Sequence, residues 1–313
     1  MLQTPEIPPA AAEAAAEKFN AGETIIGHVA NSSHEHPLIH LPKVMGIDFS
    51  VTKHVLMLWV VAAAIFLVVT WMVRRHVRES PDRLVPSRPM SGLEAIVEFV
   101  RDSIVLPNVG KKWVRVWTPL ILTFFVFILG ANLIGLVPIF DLLGLANHGL
   151  LHLPEDAFLS RVVHGGTTST GNYNVTAALA TITFVAIIVA GTRAHGFVHH
   201  WKNLAPKGLA WPLYFILIPI EVMGMFVRPF ALTMRLAANM TGGHIALLSI
   251  LSFVFIFTEL AGKATAGIGI GVLLSVPLGV GISALEIIVV LVQAYVFTLL
   301  TAVFIGMAIH ADH

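Results

Sequence analysis

Cysteine is absent from the 313-residue chain, which excludes disulfides, thiolate catalysis and zinc–thiolate sites. Charge is scarce as well: Asp, Glu, Lys and Arg make up 12% of the residues, about half the share usual in a soluble domain. The formal net charge of +1 says little about partners, and no nucleic acid is expected among them. A phosphate loop is missing too. The glycine-rich run AGIGIGVLLSVPLGVGIS (266–283) lacks the Lys-Ser/Thr ending and lies in apolar sequence, where small residues serve close helix packing instead. Histidines occur in HEHPLIH (34–40), in HHW (199–201) and at His148 and His152, but no acidic or thiolate set accompanies them. Neither a metal site nor a cofactor is expected.

What the chain has in plenty is apolar sequence. It is 56% hydrophobic, with a mean hydropathy of +0.83. Uncharged stretches run over 55–73, 116–140, 167–192, 236–258, 264–285 and 287–309, each near or above the ~20 residues that cross a bilayer core of ~30 Å. A membrane β-barrel would show alternating segments of ~10 residues instead. The fold class is therefore an all-α polytopic membrane protein. The first 50 residues, Pro- and Ala-rich and then His-rich, lack the basic start and apolar run of a signal peptide. They read as an extramembrane arm, with a short helix near Ala10 to Phe19, ahead of a membrane domain over 51–313.

Spans are expected at 54–73, 116–140 and 172–192. Between the first two, SGLEAIVEFVRDSIVLP (91–107) repeats Ile96, Val97, Val100, Ile104 and Val105 at helical spacing among charged residues, the pattern of an amphipathic helix on a membrane surface. Residues 208–258 and 264–309 show no loop. As straight helices they would be about 77 and 69 Å long, so each is either two spans or one steeply tilted, bent helix. Twelve lysines and arginines follow the first and third spans, and five lie on the opposite side. Cytoplasmic loops hold the excess, which puts the N-terminus outside and, with five spans, the C-terminus in the cytoplasm.

Ionisable residues in the long segments then stand out. Glu221, Arg228 and Arg235 recur every seven residues and lie within about 40° of one another on one helical face, which Asn239 joins. Glu286 and Gln293 share a face in the last segment. Two polar stripes in apolar helices suggest something wet or charged between them. A charge at the bilayer centre costs ~2.5–3.5 kcal/mol on insertion scales and usually marks an ion or proton path. Arg228 reads as structural, pairing with Glu221 through a bend or a water or snorkelling to the interface. Arg235 stands ~21 Å from Glu221 along the axis, so its partner must come from another helix: Glu286 in a fixed bridge, or a carboxylate on another subunit. His244, half a turn out of phase with Arg235, and Glu286 can relay protons, since an imidazole titrates near neutrality and a desolvated carboxyl group is pushed toward it. Arg235 cannot be deprotonated, so it blocks a proton path and separates two of them.

The motifs GANLIGLVP (130–138), NYNVTAALA (172–180), RPFALTMRLAANMTGGH (228–244) and LEIIVVLVQAYVF (285–297) resemble, in order, those of subunit a of the rotary F-type ATP synthases. The likeness runs from about residue 50 to the end of the chain. It implies that Arg235 is the essential arginine facing the carboxyl group of each passing c subunit. It implies that Asn239, His244, Glu286 and Gln293 line the outer half-channel, and that Glu221 lies by the cytoplasmic one. It makes each long segment a single tilted helix, for five spans in all. It also implies partners: the c-subunit ring, b-type peripheral stalk subunits and the rest of the complex, in a bacterial inner membrane. A stand-alone secondary transporter or ion channel with an intramembrane Arg/His/Glu site is the alternative; internal repeats, which would support a transporter, are not evident.

Overall fold

The computed structural model describes residues 22, 50–79, 87–136, 168–202, 211–260 and 264–310. Those residues are almost entirely helical. The extramembrane arm with its short helix, HEHPLIH, the 141–166 loop, His148 and His152 lie outside the described residues. Helix α1 (Lys53–Glu79) is the first apolar span, and α2 (Arg88–Glu98) runs into a π-helical stretch at Phe99–Val105. Helix α3 (Leu106–Leu136) follows, then a 3-10 turn at Ser169–Gly171, α4 (Tyr173–His195) and a short α5 (Phe197–Lys202). The last two helices, α6 (Trp211–Leu260) and α7 (Ala264–Ile309), hold 50 and 46 residues. Each is one unbroken helix, which settles the choice that periodicity left open. Among the described residues, five helical stretches are long and apolar enough to cross a membrane.

Local chemistry explains the boundaries. Asn172 caps α4, its side-chain oxygen accepting from the Asn174 N–H at 2.8 Å, and so satisfies a donor that the first turn leaves open. The break between the surface helix and the second span falls on Gly110, whose φ of 78° and ψ of 168° belong to a region that side chains with a Cβ avoid. The amphipathic helix therefore ends just before Lys111. Its apolar face is not spread on a membrane surface alone. Val100, Ile104, Val105 and Val109 are fully buried in the protein core, because α2 and the π stretch fold back against the neighbouring spans. The charged face stays outside, with Arg101 and Asp102 paired at 2.7 Å.

The chain divides into two compact units. One contains Asn31–Gly243 and Ala284–His313. Its core joins the buried face of the surface helix to Trp117, Ile121, Phe124 and Ile128 of α3, Ala186 and Ala190 of α4, Leu232 and Leu236 of α6, and Phe297 and Ile305 of α7. Phe124 and Phe297 meet edge to face, their centroids 5.7 Å apart. In the other unit, His244–Ser283, Ser275 donates to the Ile250 carbonyl at 2.8 Å. There Gly271 lies directly on the backbone of Val254, where a Cβ would come within 2.6 Å of its Cα. Close packing is thus the use of the glycine-rich run at this position.

Candidate functional site

The first unit brings polar residues of α6 and α7 face to face. Arg228 sits over the ring of Phe304, its Cζ 5.6 Å from the centroid. Asn239 donates from Nδ2 to the Gln293 carbonyl oxygen at 3.0 Å. Gly243 lies under Glu286, where an added Cβ would stand 2.8 Å from Oε1. Each step up α6 goes with a step down α7, so the helices run antiparallel with their polar stripes in register. Glu286 and Gln293 are both only 4% exposed. A buried amide and a buried carboxyl group, about two turns apart on one face, form a polar seam inside apolar surroundings.

Arg235 differs from these. It is exposed and makes no ion pair or hydrogen bond with any described residue. The fixed Arg235–Glu286 bridge is therefore not formed. It shares its face with Arg228 and Asn239, and the exposed Met234 and Phe230 lie elsewhere on the same helix, so the guanidinium stands on the outer surface of α6 and not in the core. His244, half-buried, directly follows Gly243 and opens the second unit.

Glu221 and Arg228 correct the sequence reading. They meet directly, Arg228 Nη2 to Glu221 Oε1 at 3.4 Å, with no water between them. Helical side chains lean toward the N-terminus, so the long arginine reaches back along the helix. Gly224, between the two, presents no side chain in its way: even an added Cβ would stand 4.0 Å from Nη2. Both side chains remain partly exposed, which makes this a modest contact.

A second polar cluster was missed. Asn132, Ser169 and Thr170 are all at least 99% buried, and Thr170 donates its hydroxyl to the Asn132 side-chain oxygen. Asn132 Nδ2 and Ser169 Oγ have no hydrogen-bond partner among the described residues. The adjoining Gly171 carbonyl accepts from Thr241 of α6 at 3.2 Å, so the cluster abuts the face of α6 that follows Asn239. Its signal was present in the sequence, as Asn132 is the one amide in the apolar run 116–140.

The ATP synthase A chain family matches residues 55–306, most of the chain and every span described above. The chain belongs to that family. Among its relatives, a protein named ATP synthase subunit a 2 from Chlorobium luteolum is 39% identical over 312 residues, covering 97% of this chain and 81% of the relative. One of the same name from Prosthecochloris aestuarii is 37% identical, over 97% and 85%. ATP synthase subunit a of Chlorobium phaeobacteroides is 38% identical, over 94% and 78%. Family membership carries the role of stator subunit a, a proton-translocating part of the ATP synthase complex in a membrane. It does not favour a stand-alone transporter or channel.

Proposed function

We propose that this subunit a forms two proton half-channels beside a ring of c subunits, with Arg235 as the group that separates them. The carrying observation is Arg235 itself: a permanent cation, exposed on a largely apolar helix, with no partner among the described residues. A guanidinium held at membrane depth requires a counter-charge, and a carboxylate that arrives on a moving neighbour supplies one. The hydrogen bond of Asn239 to buried Gln293, and buried Glu286 on the same face of α7, support the outer half-channel, with His244 as the fourth member. Glu221, exposed enough to meet water and tied to Arg228, supports the cytoplasmic one.

Protons enter from outside through His244 and Glu286 and neutralise a c-subunit carboxylate. The neutral acid rotates through lipid, which its anion cannot do cheaply. After nearly a full turn it releases the proton toward Glu221, and the ionised group is drawn to Arg235. Each charge crossing yields ~2.3 kcal/mol per 100 mV, so several are required per ATP. The chain makes no bond itself, and its nucleotide chemistry resides on other subunits. The two long helices tilt across the bilayer, the N-terminal arm lies outside, the C-terminus is cytoplasmic in a bacterial inner membrane, and b-type stalk subunits hold the stator.

The test is Arg235→Ala in the assembled complex. ATP-driven proton pumping is expected to vanish while the complex assembles, and Arg235→Lys is expected to fail as well if the planar fork is required. Pumping at the normal rate by the alanine variant would overturn the reading.

A further inference from the structure

We infer that Glu221 is the counter-charge of Arg228, and that the pair lets a passing c-subunit carboxylate meet the field of one arginine, Arg235, and not of two. The inference rests on the role proposed for Arg235 and gives Glu221 a task that the half-channel reading does not contain. Arg228 and Arg235 are seven residues apart, which sets them within about 20° of each other on α6 and about 10 Å apart along its axis. Both are permanent cations, yet their surroundings are opposite. Arg235 is exposed and makes no ion pair with a described residue. Arg228 is half-buried, lies over the Phe304 ring with Cζ at 5.6 Å and meets Glu221 at 3.4 Å.

As a structural fastening the Arg228–Glu221 contact is poor. Both partners stand on α6, so it joins no two elements, and with both side chains partly exposed it contributes little to stability. Arg228 reaches α7 through Phe304 without the help of Glu221. What Glu221 does supply is neutrality, as the one carboxylate paired with Arg228 among the described residues. Glu286 stands eighteen residues along α7 from Phe304, about 27 Å at 1.5 Å per residue. Without Glu221, a carboxylate docked on Arg235 would feel a second full positive charge about 10 Å away. At an effective dielectric constant of ~20 that attraction strengthens the hold roughly tenfold, and a carboxylate held more tightly leaves correspondingly later. With Glu221 in place, two opposite charges 3.4 Å apart form a short dipole, whose field dies away faster with distance than that of a single charge. The stripe then presents one effective cation to the rotor, at Arg235.

The experiment reads ATP-driven proton pumping by the whole complex in everted vesicles, normalised to the amount assembled. Glu221→Gln leaves Arg228 uncompensated and is expected to slow pumping roughly tenfold. Arg228→Gln leaves a bare Glu221 that repels the docking carboxylate, and is expected to slow pumping as well. The double variant Glu221→Gln with Arg228→Gln carries no charge at either position, so it is expected to pump faster than either single variant. A pair that only held the helix would leave the double variant no better than the worse single one. A double variant no faster than the singles therefore overturns the inference, as does normal pumping by Glu221→Gln. Where one single variant does not assemble, the other set against the double gives the same decision. If Glu221 itself carries the proton, the double variant stays as slow as Glu221→Gln, which removes the inference and leaves the half-channel standing. Failure of the underlying reading shows separately, as normal pumping by Arg235→Ala.

Discussion

Replacing Gly243 by alanine tests the seam at its tightest point. The new Cβ would stand 2.8 Å from Glu286 Oε1, 3.3 Å from Cδ and 3.6 Å from Cγ, where ordinary contact begins at 3.4 Å. The carboxyl oxygen must therefore retreat by about 0.6 Å, the difference between those limits, a shift of the size at which oriented groups lose reactivity. Glu286 is only 4% exposed, so little open space receives it. Forcing one methyl group into such packing costs about 1–3 kcal/mol, and on the proton role proposed for Glu286 a displacement of a large fraction of an ångström costs on the order of tenfold in rate. The assay is ATP-driven proton pumping in everted vesicles, normalised to the amount of assembled complex. Glu286→Asp removes one methylene and draws the carboxyl group back. The double variant should therefore pump better than the two single losses combined would allow. Full pumping by Gly243→Ala, or strictly additive losses, would refute the reasoning.

At the far end of α7, Gly306→Ala would place a Cβ 2.9 Å from the Asn108 carbonyl carbon and closer still to its oxygen. Backbone cannot swing aside, so the thermal stability of the purified complex should fall and less subunit should reach the membrane. In the cluster beneath α6, Asn132→Ala leaves the buried Thr170 hydroxyl without its acceptor, a loss of about 1–3 kcal/mol to be read as a lower unfolding midpoint. For Glu221 and Arg228, the single replacements Glu221→Gln and Arg228→Gln should change stability by less than about 1 kcal/mol each, since both side chains are partly exposed and screened by solvent. A double-mutant cycle measures their coupling, and a coupling of several kcal/mol would contradict the contact as described.

Sequence reasoning reached the spans because a bilayer demands length and apolarity, and both are properties of a segment alone. It reached the stripe of Glu221, Arg228, Arg235 and Asn239 because helical periodicity sorts residues into faces. It stopped where faces meet. Whether 208–258 was one helix or two depends on a turn that no residue announces, and the resemblance decided it before α6 appeared unbroken. The Asn239–Gln293 pair rests on register between two helices, which spacing within either cannot supply. Gly243 stood in the motif RPFALTMRLAANMTGGH without a stated purpose, since a glycine shows its purpose only when the Glu286 carboxyl group is seen lying on it. The Arg228–Glu221 contact was judged too long because axial rise was counted and the backward lean of the side chains was not. Asn132 and Thr170 escaped because they lie in different elements, on either side of the 141–166 loop.

The anchoring of the last turns of α7 has a mechanical meaning. Gly306 rests against the Asn108 backbone, His310 bonds back to the Gly306 carbonyl at 3.0 Å, and the His195 ring holds the Ile309 carbonyl at 2.9 Å. A rotor driven past a stator exerts an equal and opposite torque on it. With the tail of α7 gripped by the turn before Gly110 and by the end of α4, that reaction passes into the buried core of helices. A stator that must bear such a torque has, in these contacts, a fastening in the turns of α7 beyond the Asn239–Gln293 pair.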